Sequence, residues 1–311
     1  MIEKAQPQPV KVAALYQFRR VDDPAGLRQR LAAHACGAGI RGTLIVAGEG
    51  INGTVAGSAD AVDGLVALLL AEGFDALELK VSEAGATPFH RMKVRLKREI
   101  VTLGVDGVDP QGQAGTYVDP VEWNALVEDQ DTVVIDTRND YEVALGSFRG
   151  AVDPATATFR DFPAWLEANR ERLQGRKLAM YCTGGIRCEK ATAYARTAGF
   201  DQVYHLKGGI LRYLEDMPAA NSLWQGECFV FDERVAVTHG LAPGSAMLCR
   251  ACRHPLTEDD RRHPDYAEGL SCHRCAGTRS DADRSRYAER HRQVDLAQQR
   301  GVEHIGRRAR D

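Results

Sequence analysis

Lys177-Leu-Ala-Met-Tyr-Cys182-Thr-Gly-Gly-Ile-Arg187-Cys-Glu-Lys-Ala-Thr-Ala-Tyr-Ala-Arg-Thr-Ala-Gly199 is the stretch that decides the fold. Leu178 to Tyr181 predicts a short buried strand, Cys182 to Arg187 a glycine-bearing loop, and Cys188 to Thr197 an Ala-rich helix closed by Gly199. A loop set between a strand end and a helix start turns successive backbone N–H groups into one bowl. The helix N-terminus adds partial positive charge, so the bowl holds an anion. Cys182 opens the loop and is the candidate catalytic nucleophile. Thr183, Gly184, Gly185 and Ile186 form the anion-binding turn, and Arg187 closes it, lowering the thiol pKa from about 8.5. A small cysteine buried at a strand end is the plain alternative, but it leaves the Gly-Gly pair, the arginine and the following helix unexplained. Cys188, in the first turn of the helix, is either a resolving thiol for an oxidised Cys182 or a packing residue.

Working outward, residues 115–220 alternate strand and helix. A short helix opens at Pro120, a strand runs from Thr132 to Ile135 into Asp136-Thr-Arg138, a helix covers Phe162 to Leu173, and a short strand lies at Val203 to Leu206. This alternation implies a parallel sheet with helices on both faces. Ligands bind such sheets beyond the carboxyl ends of the strands, where Cys182 and Asp136 both fall. Asp136 and Arg138 are supporting residues that hold the loop architecture.

Before this region, Lys11 to Phe18, Arg41 to Ala47, Thr54 to Ala56, Leu77 to Val81 and Met92 to Leu96 read as strands. Pro24 to Ala35 and Ala59 to Glu72 read as helices, the second with Val62, Leu65, Val66 and Leu69 on one face. The order approximates βαββαβ, a ferredoxin-like split unit. The glycines of Gly48-Glu-Gly-Ile-Asn-Gly-Thr54 predict a tight turn. Arg91-Met-Lys-Val-Arg-Leu-Lys97 alternates, so a strand there turns Met92, Val94 and Leu96 inward and Arg91, Lys93, Arg95 and Lys97 outward. Such a basic ladder suits an RNA phosphate backbone, or it protects an edge strand from aggregation.

After the middle region, Glu227 to Asp232 reads as a strand, with Cys228 structural. Cys249-Arg-Ala-Cys252 and Cys272-His-Arg-Cys275 stand nineteen residues apart, the spacing of a four-cysteine zinc site. Four thiolates leave no open coordination position, so a structural zinc is predicted. Arg284 to Arg300 is helical in pattern with little apolar content, either a solvated tail or an RNA-contacting arm.

The 311 residues suggest more than one domain: 1–110 ferredoxin-like, 111–225 α/β, and 226–311 cysteine-rich with a basic helical tail. The fold class is thus mixed α/β and α+β. The net charge of −3 divides into +2 over residues 1–100, −8 over 101–240 and +3 over 241–311, leaving the two ends better suited to an anionic partner. No apolar run is long enough to span a bilayer, and residues 1–9 lack a signal-peptide pattern. A cytoplasmic protein with no membrane partner is expected, and eight cysteines, four of them in Cys-x-x-Cys pairs, fit a reduced compartment. There is no dinucleotide fingerprint, so neither NAD nor flavin is expected. Oligomeric state is not set by these features.

The Cys182 loop, with four residues between cysteine and arginine, resembles the active-site loop of rhodanese domains. Cysteine phosphatases use a five-residue interval that suits phosphate better. Asp136-x-Arg138, Tyr141-Glu142, Gly146 with Gly150-Ala151, and Lys207-Gly208-Gly209 extend the likeness. Where many rhodaneses carry Gly-His-Ile-Pro-Gly-Ala, this chain has Gly146-Ser-Phe-Arg-Gly-Ala151, which sets it apart from simple sulfurtransferases. With Gly48 to Thr54, Thr158-Phe-Arg-Asp-Phe-Pro163 and Gly226-Glu-Cys-Phe-Val-Phe-Asp232, nearly the whole chain resembles the rhodanese-related bacterial tRNA uridine hydroxylases. That resemblance implies an acylphosphatase-like N-terminal domain facing RNA, tRNA bound at its anticodon region, and molecular oxygen as co-substrate. It also implies Cys182-dependent hydroxylation of C5 of the wobble uridine. A persulfide sulfurtransferase and a non-catalytic RNA-binding scaffold share many of these features. Retention of Cys182 and Arg187 argues against the scaffold, and the basic ladder favours RNA over a small thiol.

Overall fold

The computed structural model describes residues 10–300; residues 1–9, read above as lacking a signal peptide, and residues 301–311 lie outside the described ones. The N-terminal region runs β1 (Val10–Phe18), α1 (Pro24–Gly37), β2 (Arg41–Ala47), β3 (Gly50–Gly57), α2 (Ala59–Ala71), β4 (Glu78–Ala84) and β5 (Met92–Leu96). Its helix starts are written locally. Asp23 accepts from the Gly26 amide with Pro24 following, and Ser58 accepts from the Ala61 amide.

The sheet order is β4-β1-β3-β2-β5, with β5 added parallel to β2 at the edge and the other neighbours antiparallel. Arg28 donates to the Val94 carbonyl and so covers part of that edge. Both helices lie on one face, where Ala13, Leu15, Leu44, Val46, Val55, Leu65 and Leu69 form a core. The opposite face carries Ala14, Tyr16, Asn52, Thr54 and Lys80, and this face roofs the functional site. The tight turn is shorter than expected: β3 begins at Gly50, and only Gly48 and Glu49 turn. At the far end of β5, Leu96 pairs with Val46 and so lies on the inner face as expected, yet it is 48% exposed, because an edge strand has a neighbour on one side only.

The middle region follows with α3 (Pro110–Gln113), β6 (Thr116–Val118), α4 (Pro120–Glu128), β7 (Thr132–Asp136), α5 (Asp140–Val143) and β8 (Gly146–Phe148). It continues with α6 (Phe162–Ala168), α7 (Arg170–Leu173), β9 (Lys177–Tyr181), α8 (Ile186–Thr197), β10 (Val203–Leu206) and α9 (Gly209–Asp216). Strands β6-β10-β9-β7 form a parallel sheet. The expected helix over 162–173 is broken at Asn169, whose side chain donates to the Trp165 carbonyl. The hydrophobic runs of β7 and β9 are buried between two clusters, one containing Trp123, Phe148 and Tyr213, the other Phe162, Leu166 and Leu178.

The C-terminal region comprises β11 (Trp224–Gly226), β12 (Cys228–Phe229), β13 (Ala236–Val237), β14 (Met247–Leu248), β15 (Pro255–Leu256), α10 (Glu258–Arg262) and α11 (Asp281–Gln299). The strand expected over 227–232 stops at Phe229 because the chain turns back through Val235, which has φ of +64°. No helix among the described residues is long and apolar enough to cross a membrane.

Candidate active site

Strand β9 ends at Tyr181, and Cys182 is buried directly beyond it. The amide of Gly185 donates to the Cys182 sulfur at 3.1 Å, and Gly185 itself, with φ of +103°, caps α8. A side chain at Gly185 would meet the Tyr16 hydroxyl, which lies 2.9 Å from where its Cβ would stand. Gly209 is fixed by a closer approach: a Cβ there would lie 2.5 Å from the Cys182 carbonyl and 2.7 Å from the Gly185 nitrogen. Its absence lets the start of α9 dock on the loop, with Ile210 and Leu211 amides donating to the Cys182 and Thr183 carbonyls at 3.0 Å. Burial alone would push the Cys182 thiol up. The Cys188 thiol, the Arg187 charge, and the amides of Cys188 and Gly185 outweigh it and bring the pKa down to about 5.

Arg187, expected to close the loop, is itself tied down by a carboxylate. Its two terminal nitrogens donate to Glu142 at 2.6 and 2.7 Å, and Thr183 joins the same carboxylate at 3.2 Å. Glu142 is wholly buried; burial would raise its pKa, but Arg187 holds the carboxylate ionised. The pair props the loop while the arginine's positive charge still acts on the thiolate. Cys188 is buried against Thr137, 3.5 Å away, and its own thiol is pushed well up by burial and by the neighbouring Cys182. Asp136 and Arg138 lie deeper. Arg138 forks onto Asp136 at 2.6 and 2.9 Å and donates to the Gly146 carbonyl, tying the strand end to β8. Neither lines the cavity.

That cavity, of about 570 Å³, lies between the Cys182 loop and the open face of the N-terminal sheet. Several of its walls were not foreseen. Tyr16 on β1 donates to Glu189 at 2.7 Å, and burial raises the Glu189 carboxyl to about 7. Lys80 on β4 donates to the Gly208 carbonyl, and burial lowers its ammonium to about 8. Lys190 binds Glu49 at 2.8 Å and Glu99 at 2.6 Å, giving the Gly48–Glu49 turn a partner in the middle region. The only signal for these contacts was that Glu189 and Lys190 follow the Cys182 loop immediately; their partners are far away in sequence.

The basic ladder is only partly a strand. Lys93 and Arg95 share the open sheet face, while Arg91 and Lys97 flank β5. Arg91 and Lys93 line a second, larger cleft of about 1430 Å³ between the sheet edge and the C-terminal region. On its far side Cys249, Cys252, Cys272 and Cys275 bring their sulfurs within 4.8 Å of one another. The separations of 3.9 Å for Cys249–Cys275, 3.7 Å for Cys252–Cys272 and 3.8 Å for Cys272–Cys275 fit a tetrahedral ion bound at ~2.3 Å to each sulfur. The four residues can hold a metal ion.

Fold and site together define a rhodanese-like protein with an N-terminal extension. Residues 10–100 match the UPF0176 acylphosphatase like domain, and residues 119–216 the Rhodanese-like domain. A tRNA uridine(34) hydroxylase of Mesorhizobium japonicum is 63% identical over 308 residues, covering 98% of this chain and 100% of that protein. A protein of the same name from Brucella ovis is 59% identical over 300 residues, covering 96% and 98%. The chain belongs to the tRNA uridine(34) hydroxylase family.

Proposed function

We infer that this protein hydroxylates C5 of the wobble uridine in the anticodon region of tRNA, with molecular oxygen as co-substrate and Cys182 as the catalytic residue. The observation that carries the reading is the Cys182 sulfur, taking a hydrogen bond from the Gly185 amide beside the Arg187 charge, at the floor of a cavity walled by the N-terminal sheet, the Cys182 loop and residues 230–234. Attack of the sulfur on C6 of the uracil forms an S–C6 bond and moves the ring's π electrons toward C5 and O4, making C5 nucleophilic. The charge developing at O4 is favoured by the Lys80 ammonium on the cavity wall. The C5 carbanion and a proton take up O2 as a hydroperoxide, whose outer oxygen passes to the Cys188 sulfur as a sulfenic acid and leaves a hydroxyl on C5. Loss of the C5 proton then breaks the S–C6 bond and frees 5-hydroxyuridine. The released Cys182 displaces water from the sulfenic acid to form the Cys182–Cys188 disulfide, so the two thiols supply the two electrons and two protons.

Thr183 to Arg187 shape the site, and Asp136 with Arg138 support it from beneath. Arg91, Lys93, Arg95 and Lys97 contact RNA phosphates. Cys249, Cys252, Cys272 and Cys275 hold structural zinc.

The test is mass spectrometry of nucleosides from tRNA incubated in air with wild type or Cys182→Ala. A gain of one oxygen on uridine with wild type alone supports the reading. No oxygen gain, together with a transferable Cys182 persulfide, replaces it with a sulfurtransferase.

A further inference from the structure

Phe231 is a large aromatic side chain left 58% exposed, at a place where the chain is held unusually firmly. Asp232 forks onto Arg234 at 2.9 and 2.7 Å, and Arg234 reaches across to Ser82 on β4 at 2.8 Å. The Glu233 amide donates to the Pro88 carbonyl at 3.1 Å. Val235 stands at φ of +64°, a strained conformation for a β-branched residue that persists only where the surroundings impose it. From beneath, Phe229 meets the Phe231 ring edge-on at 5.1 Å, and the Arg187 guanidinium lies 6.0 Å from its centroid. An exposed ring on a rigid mount is poorly explained by packing.

Its position suggests a role. Phe231 lines both the Cys182 cavity and the larger cleft, so it stands where the two meet. The cleft side bears Arg41, Arg91 and Lys93. Burial and then the charges of Arg91, Arg95 and Arg253 all push the Lys93 ammonium down, the mark of cations crowded together without enough counter-charge. The acidic residues there are already engaged: Asp232 with Arg234, and Glu233 with Arg250 at 2.7 Å and His90 at 3.4 Å. Strand register joins the two spaces. Lys93 pairs with Thr43, Thr43 with Thr54, Thr54 with Ala14, and Ala14 with Lys80, one row across the open face from cleft to cavity. Four strand spacings of about 4.8 Å make this row ~19 Å long.

We propose that Phe231 is a base-stacking platform for single-stranded RNA, which lays its phosphates along Arg41, Arg91 and Lys93 and passes over this ring into the Cys182 cavity. A fixed aromatic face beside a basic groove is the combination that holds an unpaired strand. The inference rests on the RNA-substrate reading above and adds the residue that delivers a base to the sulfur. Phe231 is here a positioning residue.

The test measures binding apart from chemistry, using the full chain and a fluorescently labelled anticodon stem-loop RNA with uridine at the wobble position. Phe231→Ala raises Kd by about 10- to 100-fold, Phe231→Trp keeps the wild-type value, and neither changes the slope of log Kd against log salt. Arg91→Gln and Lys93→Gln each reduce that slope by about 0.7. Thermal melting of Phe231→Ala matches wild type, since the ring is exposed. Wild-type affinity for Phe231→Ala, equal losses for Ala and Trp, unchanged slopes in the two basic variants, or no RNA binding by wild type overturns the proposal. Binding that follows the expected pattern, with no hydroxylated uridine from the wild type, sinks the hydroxylase reading and leaves this one standing.

Discussion

The two cysteine sites of this chain handle sulfur charge in opposite ways. At Cys182 a single sulfur takes an amide hydrogen bond from Gly185 and lies within the field of Arg187, so the protein itself stabilises the thiolate. At the four-cysteine cluster amides also reach the sulfurs, Cys272 N–H donating to Cys275 at 3.4 Å, but the sulfurs crowd to 3.7 to 3.9 Å, and four thiolates that close repel unless a cation sits among them. The first arrangement leaves the sulfur reactive and facing a cavity. The second, with a metal ion held, would use up every sulfur in coordination and leave none for chemistry.

The sharpest way to break this contrast is to remove one sulfur from each site. Cys182→Ala is expected to lower hydroxylated uridine by on the order of 10³-fold or more, with the metal content of the four-cysteine cluster unchanged. Cys272→Ser is expected to lower the melting temperature and abolish stoichiometric zinc, while Cys182 still reacts with iodoacetamide at the wild-type rate. A Cys182 that stops reacting in Cys272→Ser would show that the two sites are coupled.

Glu142→Gln separates support from electrostatics at Cys182. The buried Arg187 loses its charged partner, and urea unfolding should show a loss of about 3–5 kcal/mol. With less negative charge near the sulfur, the pH midpoint of Cys182 alkylation should not rise. A higher midpoint would mean that Glu142 acts mainly by aiming Arg187.

Chelation should expose four thiols to a colorimetric thiol reagent and leave the alkylation of Cys182 untouched. Zinc restored in equimolar amount should protect those four again.

The smallest effect is in the pH profile. With its folded pKa lowered to about 5, Cys182 should alkylate at half its maximal rate near that pH and at a constant rate above about pH 7. The stability it contributes runs in the matching direction. That contribution is complete above the unfolded thiol pKa of about 8.5 and is lost as pH falls through the folded value. A midpoint near 8.5 would show that the loop does not stabilise the thiolate.

Much of the candidate site was legible because its parts are contiguous. Tyr181 to Cys188 specifies strand end, turn and helix start within eight residues, and the two Cys-x-x-Cys pairs carry their geometry in their spacing. The partners were not legible. Glu142 lies forty-five residues before Arg187, and Tyr16 lies 173 before Glu189. The exposure of Leu96 was not legible because alternation sets the face of a residue but does not say where a sheet ends, and Phe231 looked like one more residue of a strand because nothing nearby announces the turn at Val235.

By itself the sequence determined the local pieces: the strand–turn–helix of the Cys182 loop, the four-cysteine spacing, the alternating elements and the alternation of β5. Those are set by backbone sterics and side-chain periodicity over a few residues. Only the tertiary structure decided that the loop is roofed by the bare face of another sheet. It alone decided that Arg187 is tied to Glu142 and that a basic edge and the Cys182 cavity open toward the same aromatic ring. Each depends on strand register and on which faces are buried together, and burial is a property of the assembled core rather than of any single stretch.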